Sequence, residues 1–133
     1  MRAKEIIMER YIAFEVDKKS RQMLAAHFPP KYADFVGHHI TYKFGVNKQT
    51  AKIPSTPKSI KVVGYADDGK SLEALVVEVN GKTLRPDGET YHITWSLDRA
   101  AGRKPAQSKP LVASGFTPVN PPIEIKAKPE FFK

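Results

Sequence analysis

Two tripeptides of identical composition stand out in the chain: His39-Ile40-Thr41 and His92-Ile93-Thr94. Each carries an imidazole and a hydroxyl separated by one β-branched apolar residue. An imidazole with an ordinary pKa of about 6.5 takes or gives a proton near neutrality, and a positioned hydroxyl donates to an oxygen on which negative charge accumulates. Two such pairs suffice for a displacement in which an attacking oxygen must lose a proton and a leaving oxygen must gain one. One of His39 and His92 would be the base and the other the acid, with Thr41 and Thr94 donating to oxygens that gain charge. The sequence leaves open which histidine does which. A bell-shaped pH dependence follows, because one ring must be neutral while the other is protonated.

The chemistry requires that each histidine and its threonine face the same way, and a β-strand supplies this. Side chains alternate across a strand, so His39 and Thr41 share one face, His92, Thr94 and Ser96 share another, and Ile40 and Ile93 point into the opposite layer. Residues 38–46 and 91–98 have the β-branched and aromatic content of strands. The same alternation predicts that His38 points away from His39, as packing or surface, and that Tyr42, Tyr91 and Trp95 pack in the core. Tyr11 to Asp17 reads as a first strand, and Ser20 as the cap of a short helix to His27 that Pro29-Pro30 ends. Residues 59–65 and 72–79 flank Asp67-Asp68-Gly69 as a hairpin, and Asn80-Gly81 marks a second tight turn. The polar stretch from Asn47 to Lys58 is a loop. Further strands are expected at Leu111–Val112 and from Ile123 to Ala127. The sum is an antiparallel-rich α+β domain.

Several chemistries are disfavoured or excluded. With no cysteine there is no disulfide, thiolate zinc site or thiol nucleophile. Adjacent strand residues cannot converge on one ion, so His38, His39 and His92 make a poor metal site, and no metal is expected. The His-x-His-x-His run of histidine-triad hydrolases, a Walker loop and a dinucleotide fingerprint are all missing, as is any serine-nucleophile motif around Ser108 or Ser114. No cofactor is indicated.

The 133 residues fit one domain, spanning 1–133. There is no apolar run of transmembrane length, and residues 1–8 lack the apolar core of a secretory signal, so a cytoplasmic protein without a membrane partner is expected. The 22 Lys and Arg outnumber 14 Asp and Glu, giving a formal charge of +8 that favours anionic partners such as nucleotides or RNA. Arg103, Lys104 and Lys109, with Arg99 just beyond the second motif, could form the basic rim that a nucleobase site needs, and Tyr11, like Phe116, is an aromatic not assigned to the core; Tyr11, Arg103, Lys104 and Lys109 are the expected substrate-binding residues.

The paired motifs resemble those of the 2H phosphoesterase superfamily, whose members carry two His-hydrophobic-Thr/Ser motifs on symmetrically placed strands lining a cleft. The strand at Tyr11 to Asp17 and the helix after it are similar to the opening of the bacterial RNA ligase/cyclic phosphodiesterase branch, so the likeness spans most of residues 11–127. The short interval between the motifs resembles compact members, among them phage anti-CBASS nucleases that degrade cyclic-oligonucleotide immune signals, and small RNA-repair-like proteins. The resemblance implies a bilobal fold with two antiparallel sheets around a central cleft and helices outside. It also implies metal-independent cleavage of a nucleotide or RNA phosphodiester: a cyclic oligonucleotide, a 2′,3′-cyclic phosphate or a 2′,5′ linkage. A basic module that binds or sequesters RNA or a cyclic nucleotide without turnover is the alternative, and loss of turnover in His39→Ala and His92→Ala separates the two.

Overall fold

The computed structural model describes residues 10–46 and 52–132. The segment read against a secretory signal, and residues 47–51 of the expected loop, lie outside the described residues; 52–59 carry no strand or helix. The strands are β1 (Tyr11–Val16), β2 (Asp34–Phe35), β3 (His39–Phe44), β4 (Ile60–Asp67), β5 (Leu72–Val79), β6 (His92–Leu97), β7 (Thr117–Ile125) and β8 (Ala127–Phe132), with helices α1 (Lys18–His27) and α2 (Ser108–Ala113).

All strands belong to one antiparallel sheet ordered β7-β4-β5-β6-β3-β1-β8, with β2 added beside β6. The expectation of two sheets around a cleft is therefore corrected: β3 and β6, the strands that would have belonged to separate lobes, pair directly at Ile40 and Ile93. The two edge strands β7 and β8 are consecutive in sequence and separated only by Lys126, so the sheet curls until its edges approach each other. Its main core draws Phe14, Ile40, Leu75, Ile93, Trp95, Ile125 and Ala127 from strands across the whole sheet. Leu24 of α1 completes this layer. On the opposite face α2 packs Val112 against Ala66, Ala74 and Val76.

The local chemistry explains most elements. Asp17, not Ser20, caps α1: its carboxylate accepts from Ser20 N at 2.7 Å, while the Ser20 hydroxyl accepts from Lys126 N at 2.9 Å and ties the helix to the β7–β8 junction. The Asp67–Asp68–Gly69 hairpin forms as read, with Asp68 Oδ1 accepting from three successive backbone amides, those of Lys70, Ser71 and Leu72. Asn80 and Gly81 both take positive φ, as a type I′ turn demands. Leu111 and Val112 lie in α2 and form no strand. Strand β7 begins earlier than Ile123, and the pairing changes hands at Lys126, so the single expected strand is two. Its prolines are accommodated because β7 is an edge strand.

Candidate active site

The Ile40–Ile93 pair is the centre of a local two-fold relation. On one side of it β1 lies against β3 with Ala13 opposite Thr41, Phe14 opposite Ile40 and Glu15 opposite His39. On the other side β5 lies against β6 with Ala74 opposite Thr94, Leu75 opposite Ile93 and Val76 opposite His92. Each ladder then slips by one residue immediately past the threonine, at Tyr42 in β3 and at Trp95 in β6. Two copies of one tripeptide thus share a bulge position, an alanine opposite the threonine and an apolar residue opposite the isoleucine, and differ opposite the histidine, where Glu15 faces one and Val76 the other. With Ile40 and Ile93 paired and pointing into the core, alternation puts their flanking residues His39, Thr41, His92 and Thr94 on the face away from it.

The bulges also correct the alternation. Beyond Trp95, Ser96 does not join His92 and Thr94; its hydroxyl donates to Glu73 Oε1 at 2.6 Å and accepts from Tyr32 N at 3.1 Å. Tyr91 and Trp95 are buried and Tyr42 packs on the core, as expected.

Each histidine is held differently. The Nδ1 of His92 lies 2.9 Å from the carbonyl of Thr90. A carbonyl only accepts, so Nδ1 carries the proton and the lone pair of the neutral ring is on Nε2. The equivalent carbonyl for His39 is that of Gly37, and it is taken by Arg21 Nε at 3.1 Å. Gly37 has φ +52°, and a Cβ there would come 2.6 Å from Phe35 and 2.8 Å from Trp95, so only glycine fits before the histidines. His39 Nδ1 instead meets His38 Nδ1 at 3.2 Å, and His38 Nε2 lies 3.8 Å from Glu15 Oε2. His38 precedes β3, where strand alternation does not yet apply. It stands beside His39 and not across the sheet from it, although it is exposed as expected.

These surroundings set the protonation of both rings. Burial drives the pKa of His39 down to about 4, and the charges of His38 and His92 push it the same way. Burial also lowers His92; the Thr90 carbonyl opposes this by favouring the imidazolium, while Arg85 and Lys109 add to the lowering. Both rings are therefore neutral at pH 7, with His92 supported as a cation by its carbonyl partner.

Thr41 and Thr94 are nearly buried, at 8% and 9% exposure. Thr94 Oγ1 donates to Pro105 O at 3.3 Å and lies 2.9 Å from the Oγ of fully buried Ser108. A hydroxyl has one proton, so Thr94 serves a ligand as donor only by releasing the Pro105 carbonyl, while it can still accept from Ser108. Ser108, set aside as a nucleophile, is thus the residue that fixes Thr94.

Of the four expected substrate-binding residues, the structure brings two to the site. The ring of Tyr11 lies 5.3 Å from that of His39. Lys109 follows Ser108 on α2 and acts on His92 electrostatically. Arg103 is instead paired with Asp68 at 2.7 Å, and Lys104 begins a short helical turn, its amide donating to Gln107. Residues missed from the sequence are Phe132, 5.6 Å from His39, and Arg85, a buried cation bound in two-point fashion to Asp87. Nothing local signals either one: Phe132 reaches the site through the β1–β8 pairing, and Arg85 through the loop before β6.

Concavities of about 320 and 580 Å³ open beside Asp17 and the Glu124–Lys126 segment, and one of about 500 Å³ beside Phe28 and Asn120; none is lined by His39 or His92. The candidate site lies between α2, which carries Ser108 and Lys109, and the aromatic rings around Tyr11. Among the described residues no three His, Asp or Glu side chains converge as a metal site requires, and no helix is long and apolar enough to cross a membrane.

No family model, curated protein or solved structure matches this chain.

Proposed function

We propose that the protein is a metal-independent phosphodiesterase of the two-histidine type, resembling the 2H phosphoesterases and acting on a nucleotide or RNA phosphodiester in a cytoplasm. The observation that carries this reading is the two-fold relation itself. The two His-Ile-Thr copies lie on adjacent strands, each with an alanine opposite its threonine and a bulge at the next residue, and strand alternation puts their two imidazoles and two hydroxyls on one face. A core-packing role would not call for polar residues at these four positions.

The unequal partners of the two rings suggest the division of labour. His39, with its pKa near 4, is the group that stays neutral and takes the proton from the attacking water or vicinal hydroxyl. For its Nε2 to be the base, Nδ1 must carry hydrogen and donate to His38 Nδ1, leaving His38 with hydrogen on Nε2 toward Glu15. His92, whose Nδ1–H is held by the Thr90 carbonyl, is the imidazolium that gives its Nε2 proton to the leaving oxygen. The anion of a bound phosphodiester favours that cation. Thr41 and Thr94 hydrogen-bond the non-bridging oxygens, and Lys109 offsets the developing charge.

The test is turnover of a cyclic dinucleotide and of a nucleoside 2′,3′-cyclic phosphate in EDTA. His39→Ala and His92→Ala should each lower the rate by about a thousandfold, within the range for general acid-base catalysis, with binding retained. Unchanged product formation in either variant refutes the reading, and stoichiometric binding without turnover in the native chain favours a sequestering module.

A further inference from the structure

We propose that the aromatic rings along one side of His39 form a nucleobase-stacking subsite, so that the substrate is a base-bearing nucleotide oriented with a nucleoside on the His39 side; this rests on the phosphodiesterase reading for its orientation.

The rings come from three strands. Tyr11 of β1 is the hub: it stacks on Phe132 of β8 at 5.0 Å and 6° between planes, and leans against Phe44 of β3 at 5.1 Å and His39 at 5.3 Å. Phe132 reaches both His39, at 5.6 Å, and His38, at 6.0 Å. The group is contiguous with the candidate catalytic ring.

It is also open. Phe44 is 45% exposed, and Tyr11 and Phe132 are only partly buried. The two-fold relation shows that a sheet at this position does not need such rings. Tyr11 opposite Phe44 corresponds in the second half to Leu72 opposite Leu97, two aliphatic residues that are fully buried. The first half thus keeps accessible aromatic faces where the second has closed core, and only the first half places them beside a histidine.

The chemistry of the occupant follows. A flat aromatic surface next to a phosphodiester-cleaving pair fits a heteroaromatic base joined to that phosphate through its ribose. The formal charge of +8 suits an anionic nucleotide over a neutral aromatic ligand. Around the second motif the neighbours are Ser108 at Thr94, and Lys109 and the Asp87-paired Arg85 acting on His92, which suit sugar and phosphate and not a base. The symmetric quartet is in this way flanked asymmetrically.

The experiment compares binding of adenosine monophosphate and ribose 5-phosphate to the whole chain, by titration calorimetry and by NMR of the aromatic protons. A single stacked base is worth roughly tenfold or more in affinity, so adenosine monophosphate should bind tighter by about that factor and shift the Phe44 and Phe132 ring protons upfield. Phe44→Ala should collapse the ratio of the two affinities toward one, and Phe132→Leu, which keeps apolar volume but removes a flat face, should reduce it. Equal affinities in the native chain, or a ratio untouched by both variants, overturns the proposal. Base-dependent binding with no turnover of any phosphodiester would leave the subsite standing and remove the phosphodiesterase reading; turnover without base preference would do the reverse.

Discussion

Acid should destabilise this fold through His39. In an unfolded chain the ring takes up a proton as the pH falls through about 6.5, whereas in the folded protein burial and the nearby histidines delay this to about 4. Between those values the unfolded state holds more protons, so folding stability falls as pH falls. The contribution is complete above 6.5, declines progressively between 6.5 and about 4, and is gone below. At about 1.4 kcal/mol per pH unit, the interval from 6.5 to 4.5 sets a ceiling near 3 kcal/mol. Solvent reaching a ring that is not fully enclosed reduces this to about 2 kcal/mol.

Carboxylates titrate in the same window, so the measurement is a double difference. Urea unfolding of the native chain and of His39→Gln at pH 7.5 and 4.5 cancels every group that the two share. The native chain should lose about 2 kcal/mol more than the glutamine variant on going to the lower pH, with similar denaturant slopes. Parallel losses would show that His39 is as easily protonated in the folded state as outside it, and the reasoning from its burial would fail.

If His39 is the base and His92 the acid, kcat/KM should follow a bell whose limbs both lie below 6.5, since both rings are lowered in the free protein; a rate still rising above pH 7 contradicts the assignment. His38→Ala should raise the pKa of His39, followed through its ring protons by NMR, because the charge of His38 is one of the causes holding it down; no change or a fall refutes this. Glu73→Ala should cost about 3 kcal/mol in urea unfolding, because the almost wholly buried carboxylate accepts from the Lys31 amide, the Ser96 hydroxyl and the Tyr65 hydroxyl, and truncation strands all three; a loss under about 1 kcal/mol would be inconsistent with that network.

Much of the sheet was legible because β1, β3, β4, β5 and β6 carry alternating or continuous β-branched and aromatic residues, and because Asp67–Asp68–Gly69 and Asn80–Gly81 are turn sequences with a stereochemical reason. The paired tripeptides were legible by repetition. What failed depended on partners distant in sequence. Pro118, Pro121 and Pro122 hide β7, which tolerates them only because it finds an edge position. Leu111 and Val112 look like strand, yet Val112 is helical because its apolar surface is needed over Ala66 and Ala74. The bulges at Tyr42 and Trp95 leave no mark in the sequence, and alternation carried past them put Ser96 on the wrong face. The single sheet rests on one long-range pairing, Ile40 with Ile93, that no local pattern encodes.

A frame with two-fold symmetry cannot by itself divide an acid from a base, since equivalent rings in equivalent surroundings titrate alike. The division must come from where the symmetry is broken, and one break falls at the carbonyl two residues before each histidine. Thr90 O is left to His92, and favours its cation. Gly37 O accepts from Arg21, and His39 Nδ1 lies against His38, a group whose own charge disfavours a second one alongside. Arg21 also lies over the Phe35 ring at 3.9 Å, which holds the guanidinium at that carbonyl. On the proposed reading, a cation from α1 therefore adds to the difference between two histidines it does not touch, beside the burial that lowers His39.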